Sequence, residues 1–278
     1  MPDKKSLLNI LIKSSIVFLL ILALYYQIFH EKDWRQMVHA FLINLSVDRL
    51  PYLMLVCLLM PINWLLETLK WYPLVRKFSA ISLPDAFRAV LAGVTVSLFT
   101  PNRIGEYGGR LLLVEPENNW KAVIATVIGS WSQLLVLISG GIIGLVYFAG
   151  HFLAWESALI RQCLMMGLIL VLLLLLFYFN LHLLLGIARR LKWLAQKEKL
   201  TKQLSILETY SFWELFSTLK YAILRYLTYS LQYFLILAFF GVEVEWEAAL
   251  SGIATIFLIQ TSIPLHPLMG LVTHGDIA

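Results

Sequence analysis

Along this chain the apolar residues run in long blocks and the polar ones gather between them. Five blocks, Leu7–Phe29, Pro51–Tyr72, Ala122–Phe148, Cys163–Leu185 and Leu219–Phe240, reach the about 20 mostly apolar residues that a membrane-spanning helix needs. Two further blocks fall short. Ala86–Thr100 offers fifteen residues before Pro101, about 22 Å of helix at about 1.5 Å per residue. Ala248–Ile263 offers sixteen before Pro264. Both are too short for a hydrocarbon core of about 30 Å.

Charge between the blocks sets the sidedness. The loop after Leu185 carries Arg189, Arg190, Lys192, Lys197, Lys199 and Lys202, which places it in the cytoplasm. Glu243, Glu245 and Glu247, with no basic residue among them, place the loop before Ala248 outside. Counting back puts the N-terminus, Arg76, Lys77 and the segment Pro101–Lys121 inside, and His151–Arg161 outside. Ala86–Thr100 is therefore expected to dip in from the cytoplasm and return, and Ala248–Ile263 to enter from outside. The two segments also share a weak pattern. Asp85-Ala86, Gly93, Thr95, Pro101 and Gly105-Glu106 are echoed by Glu247-Ala248, Gly252, Thr255, Pro264 and Gly275-Asp276. Interrupted short helices in two halves of opposite topology point to an inverted repeat with a site at the midplane; tilted or kinked ordinary spans are the alternative.

Composition sharpens this picture. The 278 residues are 60% hydrophobic and 14% charged, with a mean hydropathy of +0.78, against about 25% charged in soluble domains. So little charge leaves lipid to face much of the chain. The longest polar stretch, Gly186–Trp213, is shorter than the about 50 residues of a small domain. The expectation is an all-α polytopic integral membrane protein, with residues 1–278 forming one transmembrane domain. Lys4, Lys5 and Lys13 precede a first helix without a small-x-small cleavage site, so that helix is read as retained. The basic segment Ile187–Lys202 fits either a membrane surface or a solvated loop. The net charge of +5 follows from the positive-inside bias and argues against a nucleic-acid partner.

Polar residues inside or beside the spans carry the candidate chemistry. Asn63, Glu67 and Lys70 fall on one face of the second span. A Glu among leucines must turn to the bundle interior, where pairing with Lys70 and contact with a lipid headgroup are equally open. The run Ser97-Leu98-Phe99-Thr100-Pro101-Asn102-Arg103-Ile104-Gly105-Glu106-Tyr107-Gly108-Gly109-Arg110 breaks helical pairing at membrane depth, which is tolerated beside protein or a water-filled cavity. Arg103 and Arg110 have the planar fork that binds phosphate oxygens in pairs. Glu106 has the charge to pair with either arginine or to meet a cationic headgroup. A cytoplasmic turn obeying the positive-inside rule is the plainer reading.

Arg225 and Gln232 share a helical face, Arg225 being expected to snorkel to the cytoplasmic surface. Gly140 and Gly144 read as a helix-packing pair. Cys57 and Cys163 read as buried small hydrophobes. His266 and His274 lack the companions of a metal site. No phosphate-binding loop, zinc-protease helix or nucleophile elbow occurs, and no cofactor is expected. An enzyme would have to use Glu67 with Glu106 as its acid–base pair.

Asn63…Glu67…Lys70-Trp71 together with Pro101-Asn102-Arg103-Ile104-Gly105-Glu106 resembles the lysylphosphatidylglycerol synthase transmembrane family. This is the flippase-like membrane region also found in the multiple peptide resistance factor. The resemblance runs from the first helix to the C-terminus and is most specific at Pro-x-x-x-Gly-Glu. It implies an inner-membrane protein that handles phospholipid or another lipid-linked substrate. Translocation is the expected activity, with an integral membrane transferase, or an accessory subunit of one, as the alternative and a lipid-modifying enzyme as a candidate partner. Arg103, Glu106 and Arg110 are the expected headgroup contacts, with Asn63, Glu67 and Lys70 as polar lining. The soluble aminoacyl transferase domain that makes the lysyl-lipid has no counterpart here, so synthase activity is not carried over. Relatives of the family are expected to continue into another helix where this chain stops at Ala278, so the sequence is read either as truncated there or as a natural variant without its last span.

Overall fold

The computed structural model describes residues 34–98, 100, 104–153, 155–190 and 203–262. The first expected span, Arg103, the basic loop 191–202, His266 and His274 lie outside the described residues. Regular structure within them is helical throughout. The helices are α1 (Trp34–Asn44), α2 (Leu50–Val75), α3 (Leu83–Ser97), α4 (Gly105–Leu111), α5 (Asn119–Phe152), α6 (Ser157–Phe179), α7 (Leu181–Arg190), α8 (Phe212–Phe239) and α9 (Trp246–Ser262). Segments Leu50–Val75, Pro116–Phe152, Ser157–Phe179 and Phe212–Phe239 are long and apolar enough to cross a membrane. They match four of the five expected spans. On α6, Leu168, Ile169, Leu172 and Leu173 are each at least half exposed, as side chains facing lipid should be. The protein is thus a polytopic integral membrane protein.

Sequence and caps account for the breaks. Apolar sequence continues past Phe179 to Leu185, but α6 stops earlier than expected. Asn180 leaves helical geometry and turns its amide back to the Leu176 carbonyl at 2.8 Å, the local competition that disfavours Asn within helices. Ser211 and Glu214 close a reciprocal capping box at the start of α8. Between α8 and α9 the chain turns at Gly241 with φ of 73°, and the Arg49 guanidinium occupies the space where a Cβ would stand.

α8 lies along α2, and α9 along α5. Gly144 is the seat of the second contact. A Cβ there would meet the Ala254 Cβ at 2.5 Å and the Ser251 carbonyl oxygen at 2.9 Å. Gly140 backs onto the Tyr226 hydroxyl, so the packing role expected for this pair holds. Cys57 is exposed and Cys163 half-buried, both as free thiols. This corrects the expectation of burial: an apolar environment in a bilayer can be lipid as readily as core.

The fifteen-residue helix α3 returns through α4. The two pack antiparallel with their backbones in contact, because glycines line the seam. A Cβ on Gly109 would lie 2.6 Å from the Ala92 carbonyl and the Gly93 Cα, and one on Gly105 would lie 2.6 Å from the Val96 carbonyl oxygen. Thr100 Oγ1 accepts from the Gly105 N–H at 2.7 Å, tying the turn. The Ser79 hydroxyl donates to Glu115 Oε2 at 2.5 Å, so the chain enters and leaves this hairpin at one end of the bundle. That hydrogen bond leads the influences that hold the Glu115 carboxyl below its ordinary range. α9 supplies the matching short helix at the other end, where Tyr147 donates to Glu247 at 2.6 Å. The residues that follow α9 lie outside the described residues. Gly252, the counterpart of Gly93 in the sequence echo, has only the Phe148 ring edge near it at 3.9 Å.

The core lies at the Ser79 end. Trp71, Leu74, Ala86, Val90, Ala125 and Leu215 are buried there together, and Trp71 donates its indole N–H to Thr126 at 3.1 Å.

This arrangement fixes which loops share a side. Single cysteines placed at Asp85 and Lys121 should react with a membrane-impermeant reagent from one face, and a cysteine at Glu245 from the opposite face. Labelling of Asp85 and Lys121 from different faces would contradict the hairpin.

Candidate functional site

Glu67 projects from α2 into the bundle and is 4% exposed. Ionised carboxylates survive in such surroundings only when paired and hydrogen-bonded, and Glu67 is paired three times. Lys70, one turn on, reaches Oε2 at 2.6 Å. Arg110, carried in by the hairpin, reaches Oε1 at 2.6 Å. Arg225 from α8 stands 3.2 Å from Oε2. Three elements thus meet on one carboxylate.

Each cation is held in turn. Arg110, 1% exposed, also pairs with Glu106 one turn back on α4, and its guanidinium lies 5.4 Å from the Trp71 ring centroid, within cation–π range. The glycine seam explains how so large a side chain is buried. Gly93 leaves room for the Arg110 stem, whose Cγ would stand 3.1 Å from a Cβ at that position. The Lys70 stem passes Gly129 of α5. Arg225 donates through Nε to Asn63 Oδ1 at 2.8 Å and through Nη1 to Gln133 Oε1 at 3.3 Å. Asn63 then donates to Gln232 at 3.2 Å, and Gln232 to the Val56 carbonyl at 3.2 Å.

Five of the six residues singled out from sequence, Asn63, Glu67, Lys70, Glu106 and Arg110, therefore belong to one network; Arg103 lies outside the described residues. Glu67, Lys70 and Arg110 are almost wholly enclosed and bind one another in this arrangement. Arg225 corrects the snorkelling expectation. Its side chain turns into the bundle, held by Asn63, Gln133 and Glu67, near the middle of α8. Gln133 escaped notice altogether. Its signal was a lone amide in an apolar span, which must find partners inside the bundle.

Above this network a cavity of about 820 Å³ opens between α2, α5, α8 and α9. Asn63, Gln133, Arg225, Tyr229, Gln232 and Gln260 give it a polar side, and Val56, Leu137, Ile236 and Phe257 an apolar one. Phe257 is boxed edge-on by Tyr226, Tyr229 and Tyr233. Among the described residues no group of three His, Cys, Asp or Glu side chains could hold a metal ion.

Membrane-length helices around a buried ionic hub, with a cavity polar on one side opening above it, define an integral membrane protein with charged groups inside its bundle. The family described as the lysylphosphatidylglycerol synthase TM region matches residues 10–274, and the chain belongs to it. That membership ties the protein to membrane lipids. Neither the curated proteins nor the solved structures yielded a match.

Removing the hub should be costly, because it strands buried cations. Glu67→Gln is expected to destabilise the purified protein by about 3–5 kcal/mol. Lys70→Met should cost less, since two arginines still neutralise Glu67. Denaturation in detergent reads both, and a Glu67→Gln protein as stable as wild type would contradict the arrangement.

Proposed function

We propose that this protein translocates a phospholipid or a lipid-linked molecule across the cytoplasmic membrane, residues 1–278 acting as one transmembrane domain. The observation that carries the reading is the cavity that ends on Arg225 halfway along a spanning helix. A lipid headgroup crossing hydrocarbon needs polar partners at mid-depth to replace water. Asn63, Gln133, Arg225 and Gln232 offer them in a row, while the apolar wall suits an acyl or polyprenyl chain.

Glu67, Lys70, Arg110 and Glu106 form the floor of the path and hold the hairpin against α2 and α8. Arg103, at the hairpin turn in sequence, is assigned to headgroup contact. The N-terminus and the Ser79 end are cytoplasmic in this reading, supported by Arg76, Lys77 and Lys121 there against Glu243, Glu245 and Glu247 at the other end. A lipid-modifying enzyme is the expected partner. The group-transfer alternative is weakened because Glu67 and Glu106 share Arg110, and Glu67 holds two further cations. Such a pair is occupied, not poised for proton transfer.

The test is transbilayer movement in reconstituted vesicles, followed with acyl-labelled fluorescent phosphatidylglycerol and phosphatidylethanolamine and an impermeant quencher. Protein-bearing vesicles should expose the inner-leaflet probe faster than empty ones. Arg103→Lys, which keeps charge but loses the fork, should slow exposure by about tenfold. Folded protein that accelerates neither probe would overturn the reading.

A further inference from the structure

The ionic cluster does not balance. Glu67 and Glu106 supply two negative charges, while Lys70, Arg110 and Arg225 supply three positive ones. One positive charge remains in excess among the described residues. Lys70 and Arg110 are enclosed, at 1% exposure each. The Arg225 side chain is 19% exposed, and it is the cation of the cluster that lines the cavity.

The hydrogen bonds of Arg225 leave half of its fork free. Of its five donors, Nε bonds Asn63 and Nη1 bonds Gln133, and Nη1 also stands 3.2 Å from Glu67 Oε2 as an ion pair. The Nη2 amino group has no acceptor among the described residues. Beside it, Tyr229 also lines the cavity. Its hydroxyl oxygen accepts from Gln133 Nε2 at 3.3 Å, which leaves the phenolic proton to donate. Gln133 thus touches both groups, its oxygen on Arg225 and its nitrogen on Tyr229, and sets their relative position.

We propose that Arg225 Nη2 and the Tyr229 hydroxyl form a binding site for a singly charged phosphate oxyanion, with Gln133 and Asn63 as positioning residues. The ligand is a phosphodiester whose apolar part lies along Val56, Leu137, Ile236 and Phe257. This deepens the translocation reading by giving its headgroup a mid-depth station, and it rests on that reading for the identity of the cargo. The charge count favours a monoanion, since one negative charge neutralises the excess. Two donors held by a common amide are preorganised, which limits the ordering needed on binding.

Calorimetry on the purified full chain in non-ionic detergent tests this without requiring transport. The probes are short-chain phosphatidylglycerol, short-chain diacylglycerol and glycerol phosphate. Phosphatidylglycerol should bind at least about tenfold more tightly than diacylglycerol. Arg225→Lys keeps the charge beside Glu67 but loses the fork, and should cost about tenfold in phosphatidylglycerol affinity. Tyr229→Phe removes one oxygen and should cost a few-fold; it serves if Arg225→Lys does not fold. Gln133→Leu should weaken phosphatidylglycerol while leaving diacylglycerol unchanged, a selectivity that general loosening of the bundle would not produce. Glycerol phosphate, a monoester that is largely a dianion at neutral pH and has no apolar part, should bind more weakly than the lipid; equal affinity would overturn the phosphodiester assignment. Equal binding of phosphatidylglycerol and diacylglycerol, or wild-type affinity in both Arg225→Lys and Tyr229→Phe, would overturn the proposal. Tight, Arg225-dependent binding in a protein that moves no lipid would leave the site standing and remove the translocation reading instead.

Discussion

One carboxylate in an apolar bundle constrains the rest of this fold. Glu67 cannot remain ionised in that setting without partners, and the partners come from its own helix, from the hairpin and from α8. Each of the three must therefore hold its depth and rotation to within hydrogen-bond tolerance. The glycine seam follows from this demand. Arg110 reaches Glu67 only if α4 lies directly on α3, and that approach leaves no room for a Cβ at Gly105 or Gly109. A buried ion pair adds little net stability, but removing one partner is costly. Here that cost falls on the docking of a short helical hairpin.

The same network explains why the cavity is polar only on one side. Arg225 is anchored through Nε and Nη1, so the amides that hold it, Asn63 and Gln133, are drawn to one flank. Gln232 extends that file by bonding Asn63 and the Val56 carbonyl. The opposite flank, built from Leu137, Ile236 and the Phe257 box, has no charge to satisfy. The amphipathic lining of the groove follows from where the amides that hold Arg225 sit.

Much of this was legible from sequence because hydrocarbon imposes strong rules. Block length gave four spans that the structure shares, and the shortness of Ala86–Thr100 together with Pro101 gave the hairpin. The i, i+3 spacing of Glu67 and Lys70 offered a pair that forms, and Glu106, open in the sequence to Arg103 or Arg110, pairs with Arg110. What could not be read was which pairs join across elements. Nothing local links residue 67 to residues 110 and 225. Arg225 was taken for a snorkelling residue because its depth depends on where α8 begins, and α8 begins at Phe212, seven residues before the apolar block. Gln133 was hidden by the leucines around it. Burial of Cys57 and Cys163 was misjudged because hydropathy measures apolar surroundings and does not distinguish protein from lipid.

The central claim is that Glu67 binds the hairpin to the bundle through Arg110. A double-mutant cycle on unfolding free energy, using Glu67→Gln, Arg110→Met and the pair together, measures that bond directly. The account predicts a coupling of about 1 kcal/mol or more, because the two side chains are in direct contact, although Glu67 keeps Lys70 and Arg225 and Arg110 keeps Glu106 in the single variants. Effects that add to within about 0.5 kcal/mol would show that the two side chains stabilise the protein independently and would contradict it.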